Sequence, residues 1–238
     1  MEIEIWSDVM CPFCYIGKRK FEAGLDQFAH NKDVKVVWKS FQLNPGLKTD
    51  PSKNVNQYLA DIKGWSLQQA EQMNDRVTDM AREVGLEYHF DKAIVANSWD
   101  AHRLVQLAKT KGLGDAAEER LFRAYFTEGK NTSDHTTLIE LGTDIGLDAP
   151  EVSQMLASTA FNDEVNHDLY EAQQLGIRGV PFFVLNRKYA VSGAQAPETF
   201  LGALETAWTE WDQQHPKLTE VAAGEAACTP EDGCVLPE

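Results

Sequence analysis

Apolar and polar residues alternate over residues 2–6, where Ile3 and Ile5 share one side, the period of a half-buried strand. From about residue 12 to 29 the period becomes helical, with Phe21, Leu25 and Phe28 on one face. A second strand is predicted over Val34–Phe41 and is closed by Asn44-Pro45-Gly46. A long stretch with helical punctuation follows. Ser66 and Gln69 have capping-box spacing and open a helix with Leu67, Ala70, Met73, Val77, Met80 and Val84 inward and Gly85 as its stop. Leu104, Val105, Leu107 and Ala108 mark the next helix, which stops at Gly112; Asp115 with Glu118 opens another that ends at Gly129. Asp148, Pro150 and Glu151 open a short helix, and a further one runs from about Thr159 to Leu175. β structure returns in Phe182–Leu185 and Tyr189–Ser192, a hairpin turning near Asn186-Arg187. Pro197 then opens a last helix that carries Phe200, Leu201, Leu204, Trp208 and Trp211. No internal repeat is visible.

The predicted order is therefore βαβ, a helical block, then ββα. The first two strands should be parallel, joined right-handedly across the intervening helix. The block at about residues 45–165 is too long for a loop and has its own apolar faces, so it should pack as a cap over the core. At 238 residues and 43% hydrophobic content, the chain can bury one sizeable core, or one core with an appended subdomain. A formal charge of -15 argues against nucleic acid or an anionic membrane surface as partner. No run approaches transmembrane length. Met1–Ile5 has neither a basic region nor a long apolar stretch and reads directly as a strand, so no secretory signal is expected. These features predict a cytoplasmic, reducing compartment, where cysteine pairs are usually catalytic, sensing or metal-bound.

The chemistry concentrates in Cys11-Pro12-Phe13-Cys14, between the first strand and its helix. Pro12 suits the first helical position, which makes Cys11 the N-cap. There its sulfur should meet free backbone N–H groups and the positive end of the macrodipole, both favouring the thiolate, the nucleophile in disulfide exchange. Cys14, one turn further in, is placed to resolve a mixed disulfide held on Cys11. The same spacing is half of many zinc sites, but zinc needs two more ligands, and the other cysteines, Cys228 and Cys234, lie at the far end in a different spacing. No metal site is expected. Further on, Gly176–Leu185 runs from a glycine-flanked loop through Val180-Pro181 straight into an apolar strand. A proline at strand entry is tolerated in trans, and X-Pro bonds can also be cis.

Together these segments resemble the DsbA/FrnE group of thioredoxin-fold oxidoreductases. The resemblance rests on Ser7-Asp8-Val9-Met10-Cys11-Pro12-Phe13-Cys14-Tyr15-Ile16-Gly17, on Asn97-Ser98-Trp99-Asp100-Ala101-His102-Arg103-Leu104, and on Gly179-Val180-Pro181-Phe182-Phe183-Val184. It spans about residues 1–212 and is nearest the FrnE-like branch, with its large helical insertion. It implies an α/β chain: a thioredoxin fold with a large all-helical insertion and a flexible C-terminal tail. The corresponding parts are residues 1–45 and 165–212 for the thioredoxin-like domain, 46–164 for the insertion and 213–238 for the tail. The resemblance also implies that Pro181 is cis and packs beside the cysteines, and that Val180 offers backbone groups to an extended substrate. Where DsbA has histidine between the cysteines this chain has Phe13, so a strongly oxidising potential does not carry over.

Other residues are read more conservatively. His102 is a candidate proton relay near the dithiol, although such a histidine is more often a packing residue. Asp8 suits a turn or cap, or an influence on Cys14 deprotonation. Trp6, Trp38, Trp65 and Trp99 are expected in the core or a cleft wall. After Trp211 the composition is that of a mobile linker, ending in Cys228-Thr229-Pro230-Glu231-Asp232-Gly233-Cys234. Pro230 and Gly233 permit a turn that brings the two cysteines together. They form a candidate second redox pair tethered to Cys11–Cys14, a terminal structural pin, or two bystander thiols.

The expected function is a cytoplasmic protein thiol–disulfide oxidoreductase, acting as a reductase or isomerase. Its partners would be disulfide-containing or unfolded proteins and a cellular thiol reductant, with glutathione a candidate for the latter. No nucleotide or metal is needed for exchange. A glutathione-dependent isomerase or transferase of small molecules, resembling 2-hydroxychromene-2-carboxylate isomerases or kappa-class transferases, is the alternative; those typically have serine at the Cys11 position. A non-catalytic chaperone for unfolded chains is the third reading.

Overall fold

In the computed structural model, which describes residues 1–215, 228–229 and 233–234, the first strand is buried on both faces. This is β1 (Glu2–Ser7), with Ile3 and Ile5 on one side and Glu4 and Trp6 on the other. The alternation that predicted a half-buried strand thus belongs to a central one. β1 pairs in parallel with β2 (Lys35–Ser40), from Glu2 opposite Lys35 to Ser7 opposite Ser40. Its other edge pairs antiparallel with β5 (Phe182–Leu185), which turns back into β6 (Tyr189–Ser192). The sheet order is β2-β1-β5-β6. Asn186 and Arg187 carry the hairpin turn at φ 51 and 57, the pair of positive values that a type I′ turn requires.

Two helices cover the Ile3 face, α1 (Pro12–Gln27) and α9 (Pro197–Gln214). Phe21 of α1, Phe183 of β5 and Phe200 of α9 meet there with ring centroids 4.6 to 5.7 Å apart. Gly24 lets the helices approach closely, since a Cβ at that position would lie 2.7 Å from the Pro197 carbonyl oxygen. On the opposite face Trp6 packs with Ala172, Ile177 and Val184. α8 (Asn162–Gln174) covers it, and its Asp168 accepts the Ser40 backbone N–H, Lys39 Nζ and Gln106 Nε2 at 2.9, 2.9 and 2.6 Å. One carboxylate therefore ties α8 to β2 and to a helix of the intervening block.

That block runs β3 (Asp50–Asn54), α2 (Val55–Lys63), α3 (Leu67–Glu83), β4 (Ile94–Val95), α4 (Trp99–Thr110), α5 (Gly114–Phe126), α6 (His135–Asp144) and α7 (Ala149–Leu156). Besides its helices it holds the short β3–β4 ribbon, which sequence periodicity did not reveal. The Ser66/Gln69 capping box forms in full. So does a second one at Asn54/Gln57, opening a helix the apolar pattern missed. Two inward assignments on α3 change: Leu67 and Met73 are exposed, and Ala70, Asn74, Val77 and Ala81 face in. Asp115 does not cap α5, which begins at Gly114; its carboxylate accepts Trp38 Nε1 at 3.0 Å and pairs with buried Lys18 at 3.2 Å. No described helix is long and apolar enough to cross a membrane.

Candidate active site

Cys11 is the N-cap of α1, with Pro12 in the first turn. The chain reaches it through a tight bend in which the Cys11 N–H donates to the Asp8 carbonyl at 2.9 Å. Both Cys11 and Cys14 are free thiols and buried, at 4% and 1% exposure. The Cys11 side chain makes no capping hydrogen bond, contrary to the expectation that its sulfur would turn to the helix N–H groups. Its thiol instead donates to the Val180 carbonyl at 3.5 Å. A thiolate or a mixed disulfide has no proton to donate, so either state frees that carbonyl to accept an N–H from a bound chain. Burial, and then the neighbouring Cys11, push the Cys14 thiol well above its ordinary value, against the Asp8 backbone and the Ser7 side chain. Cys14 is thus held as the protonated partner.

The Val180–Pro181 bond is cis. Pro181 is seated against α1 at Gly17, where an added Cβ would lie 2.9 Å from Pro181 Cγ and 3.6 Å from Ala194 Cα. The glycine is what allows the Val180–Pro181 loop and the cysteine helix to touch. On its other side the first turn of α1 is held by buried Tyr88, whose hydroxyl donates to the Pro12 carbonyl at 2.7 Å. Tyr15 stacks on Phe122 of α5 at 5.0 Å. The helix bearing the thiols is therefore gripped by the sheet domain and by the inserted helices together.

Behind the thiols lies a buried polar cluster. Asp8 accepts the Leu43 and Met10 N–H groups at 2.8 and 3.4 Å, joining the loops that leave β1 and β2. His102 of α4 is fully buried with Nε2 3.5 Å from Asp8 Oδ1, an ion-pair separation that is long for a hydrogen bond. Glu118 of α5 is also fully buried. Burial pushes its carboxyl up to about 7, partly opposed by His102 and Lys18, with Asp115 and Asp8 adding to the rise. For His102, burial pulls the value down, but Asp8 and Glu118 outweigh it and the net shift is upward.

Because the folded-state value of Glu118 lies above its ordinary 4.5, its contribution is present below pH 4.5 and is lost as pH rises to about 7. His102 acts in the same direction, losing its contribution as pH rises through its raised value. Glu118→Gln should therefore raise stability at pH 8 by up to about 3 kcal/mol and flatten the loss between about pH 4.5 and 7. Denaturant unfolding across that range is the measurement. A variant as pH-dependent as the parent would contradict this reading of Glu118.

In front of the thiols opens a cavity of about 520 Å3. Cys11, Pro12, Phe13 and Val180 form one wall. Residues of α2, α3, α5 and β4, the turn between α2 and α3, and the loops after β1 and β2 and before β4 form the rest, among them Leu59, Trp65, Met73 and Tyr125. Of the remaining candidates, Trp6 and Trp38 are core residues and Trp99 donates to Asn162 at 3.1 Å. Cys228 and Cys234 are register partners in a two-stranded antiparallel ladder, Cys228–Thr229 with Gly233–Cys234. The linker expected between His215 and Cys228 lies outside the described residues. Sequence reading gave no role at the site to Gly17, Tyr88 or Glu118. Glu118 had a usable signal, since Leu121, Phe122 and Tyr125 follow it at helical spacing and share its buried face.

Sheet order, the cysteine helix and the Val180–Pro181 loop define a thioredoxin-fold oxidoreductase of the DsbA type. Residues 2–205 match the family model of the DSBA-like thioredoxin domain, and the chain belongs to that family. The crystal structure of the probable DsbA oxidoreductase SCO1869 from Streptomyces coelicolor is similar at 40% identity and a TM-score of 0.84, covering 100% of both chains. The cytosolic disulfide reductase DsbM from Pseudomonas aeruginosa, at 18% identity, shares the fold with a TM-score of 0.62 over 88% of this chain and 100% of its own. An uncharacterized Bacillus subtilis (strain 168) protein, YwbO, is 28% identical over 206 residues, 86% of this chain and 96% of its own length.

Proposed function

We propose that this chain is a cytoplasmic thiol–disulfide oxidoreductase that reduces or isomerises protein disulfides through Cys11 and Cys14. The observation that carries this reading is a buried pair of free thiols at a helix N-terminus, with the outer one against the Val180 carbonyl. The Cys11 thiolate attacks one sulfur of the substrate disulfide; that S–S bond breaks, a mixed disulfide forms, and the departing thiolate takes up a proton. Cys14 then loses its proton and attacks the Cys11 sulfur, which releases the second substrate thiol and leaves a Cys11–Cys14 disulfide. His102, set behind the pair against Asp8, is the candidate relay for the Cys14 proton. A cellular thiol reductant returns two electrons and restores the dithiol. In isomerisation a different substrate thiolate attacks the substrate sulfur of the mixed disulfide instead; a new substrate disulfide forms, the Cys11 thiolate leaves, and no net electrons are used.

Cys228 and Cys234 are proposed as a second redox pair that exchanges with the first; their direct cross-strand register supports the pairing. The test is turnover of a model protein disulfide with a defined thiol donor, using the full chain and a chain ending at Leu218. Catalysed reduction or reshuffling by the full chain is expected, with a changed rate of active-site reduction in the shortened one. No catalysis with any donor would overturn the enzyme reading. An unchanged rate in the shortened chain would reduce the tail pair to a pin or to bystander thiols.

A further inference from the structure

We propose that Lys109 is a nucleophilic lysine and a covalent modification site, which takes an acyl group from an uncharged thioester. This chemistry is independent of the dithiol and belongs to a different part of the molecule.

Lys109, near the end of α4, lines a second cavity of about 500 Å3 that shares no lining residue with the one at Cys11. That volume falls in the range of sites that hold small molecules. Lys39 of β2, Gln106 of α4 and Asp168 of α8 form its covered part, and Asp163, Glu164 and His167 stand exposed at its rim. The stem of Lys109 is confined by α5. A Cβ at Gly114, the first residue of that helix, would lie 2.8 Å from Lys109 Cγ, so the stem rests on bare backbone there. Only 25% of the side chain is exposed.

Its charge is poorly compensated. Lys18 and Lys39, whose side chains are 3% and 11% exposed, each face three carboxylates within 3.7 Å. Among the described residues Lys109 has one, Asp168, at 4.0 Å. Even that carboxylate is engaged by Lys39, the Ser40 N–H and Gln106 Nε2. The short contact of Lys109 is to a neutral group: Nζ donates to Gln106 Oε1 at 2.8 Å. Burial lowers the ammonium below its ordinary value. Asp168 opposes that fall, Lys39 adds to it, Glu118 and Glu4 oppose it further, and the net shift is downward. The free amine, which is the nucleophile, is therefore more available near neutrality than that of an ordinary lysine.

The surroundings also select the electrophile. Asp163, Glu164 and Asp168 line the cavity and the chain carries a formal charge of -15, so donors bearing phosphate or carboxylate groups are repelled. An uncharged thioester is not. The Lys109 nitrogen attacks its carbonyl carbon, an amide C–N bond forms, and the C–S bond breaks. The thiolate leaves and takes up the proton that the nitrogen sheds; nothing is oxidised or reduced. The product is neutral, which removes an uncompensated charge from a covered site. Its amide N–H remains a donor for Gln106 Oε1.

The experiment treats the full chain with the acetyl thioester of N-acetylcysteamine and follows each lysine by mass spectrometry, after hydroxylamine has cleared acyl groups from the cysteines. At about pH 7 Lys109 is expected to be acetylated at least about tenfold faster than the exposed Lys32 and Lys35. The advantage should shrink towards about pH 10, where ordinary lysines lose their protons. Exposure alone predicts the opposite order, since the Lys35 side chain is 74% exposed against 25% for Lys109. Lys39→Met frees Asp168 to pair with Lys109 and should bring its rate down to that of Lys35; Lys39→Arg, which keeps Asp168 engaged, should not. Lys109→Arg should lose the modification and keep disulfide turnover. Acetylation of Lys109 no faster than of Lys35 at about pH 7, or an unchanged Lys109 rate in folded Lys39→Met, would overturn the proposal and leave the dithiol reading intact. If Lys39→Met does not fold, the comparison of lysines in the parent chain decides.

Discussion

Cys11→Ser is expected to bring reduction of a model protein disulfide down to background, whereas Cys14→Ser should still attack but stall. The two thiols differ by place and not by kind. Cys11 stands at the helix N-cap on the cavity wall, where a substrate sulfur can reach it. Cys14 is one turn deeper, essentially inaccessible, and its thiol is held protonated by burial. Losing Cys11 removes the attacking thiolate, and an alcohol does not replace it. Losing Cys14 leaves the attack intact and removes resolution, so mixed disulfides should accumulate on Cys11. Mass spectrometry of non-reduced digests from Cys14→Ser reads this directly. If Cys14→Ser turned over normally while Cys11→Ser was inactive, the mechanism would be monothiol, and Cys14 would not be the resolving thiol.

Gly17→Val is expected to be the most damaging change that touches neither sulfur. A glycine inside a helix costs about 1 kcal/mol relative to alanine, so helix propensity alone would favour replacing it. At this position the added Cβ would lie 2.9 Å from Pro181 Cγ, with Ala194 backbone behind it, and neither is the flexible end of a side chain. The loop or the helix must move. Overpacking of this sort costs about 1–3 kcal/mol, and the valine methyls add to it. Moving the Val180–Pro181 loop also takes the Val180 carbonyl away from Cys11. A misplacement of about 1 Å at a reacting centre can lower the rate on the order of a hundredfold. Gly17→Val should therefore lower both the unfolding midpoint and kcat/KM, and Gly17→Ala should do so less. Full activity in Gly17→Val would show that contact between this loop and α1 is not needed for turnover.

What could be read from the sequence was what is local. Cys11-Pro12 announces a helix start, Val180-Pro181 a strand entry, and Asn186-Arg187 a tight turn, each within a few residues of chain. The helices with capping residues and long apolar faces were likewise legible. The β3–β4 ribbon was not, because Asp-Pro-Ser-Lys-Asn has no alternation and its partner is two residues long and some forty positions away. α6 carries only Leu138, Leu141 and Gly142 on its buried face, too short a stripe to stand out.

Met73 shows a different limit. Helical periodicity separates apolar faces from polar ones, yet it does not distinguish a face that enters the core from one that lines a cavity. Asn74 and Ala81, which the apolar pattern did not select, face inward beside Ala70 and Val77. The cluster of Asp8, His102 and Glu118 comes from the β1–α1 loop, α4 and α5, and only the fold brings it together. His102 was visible as a candidate from its motif, and helical spacing could place Glu118 on a buried face, but not near His102.

The reduction potential of the Cys11–Cys14 couple, measured by equilibrating the full chain in thiol–disulfide buffers of known ratio, tests the dithiol mechanism most directly. The pair is expected to close to a disulfide with a potential below about -200 mV, on the reducing side of the scale where a cytoplasmic reductase or isomerase can be recharged by cellular thiols. Phe13 between the cysteines supplies no cation to stabilise the reduced form beyond this. A potential near about -120 mV, that of a strong oxidant, or a pair that does not close at all, would contradict a reducing or isomerising role for these two thiols.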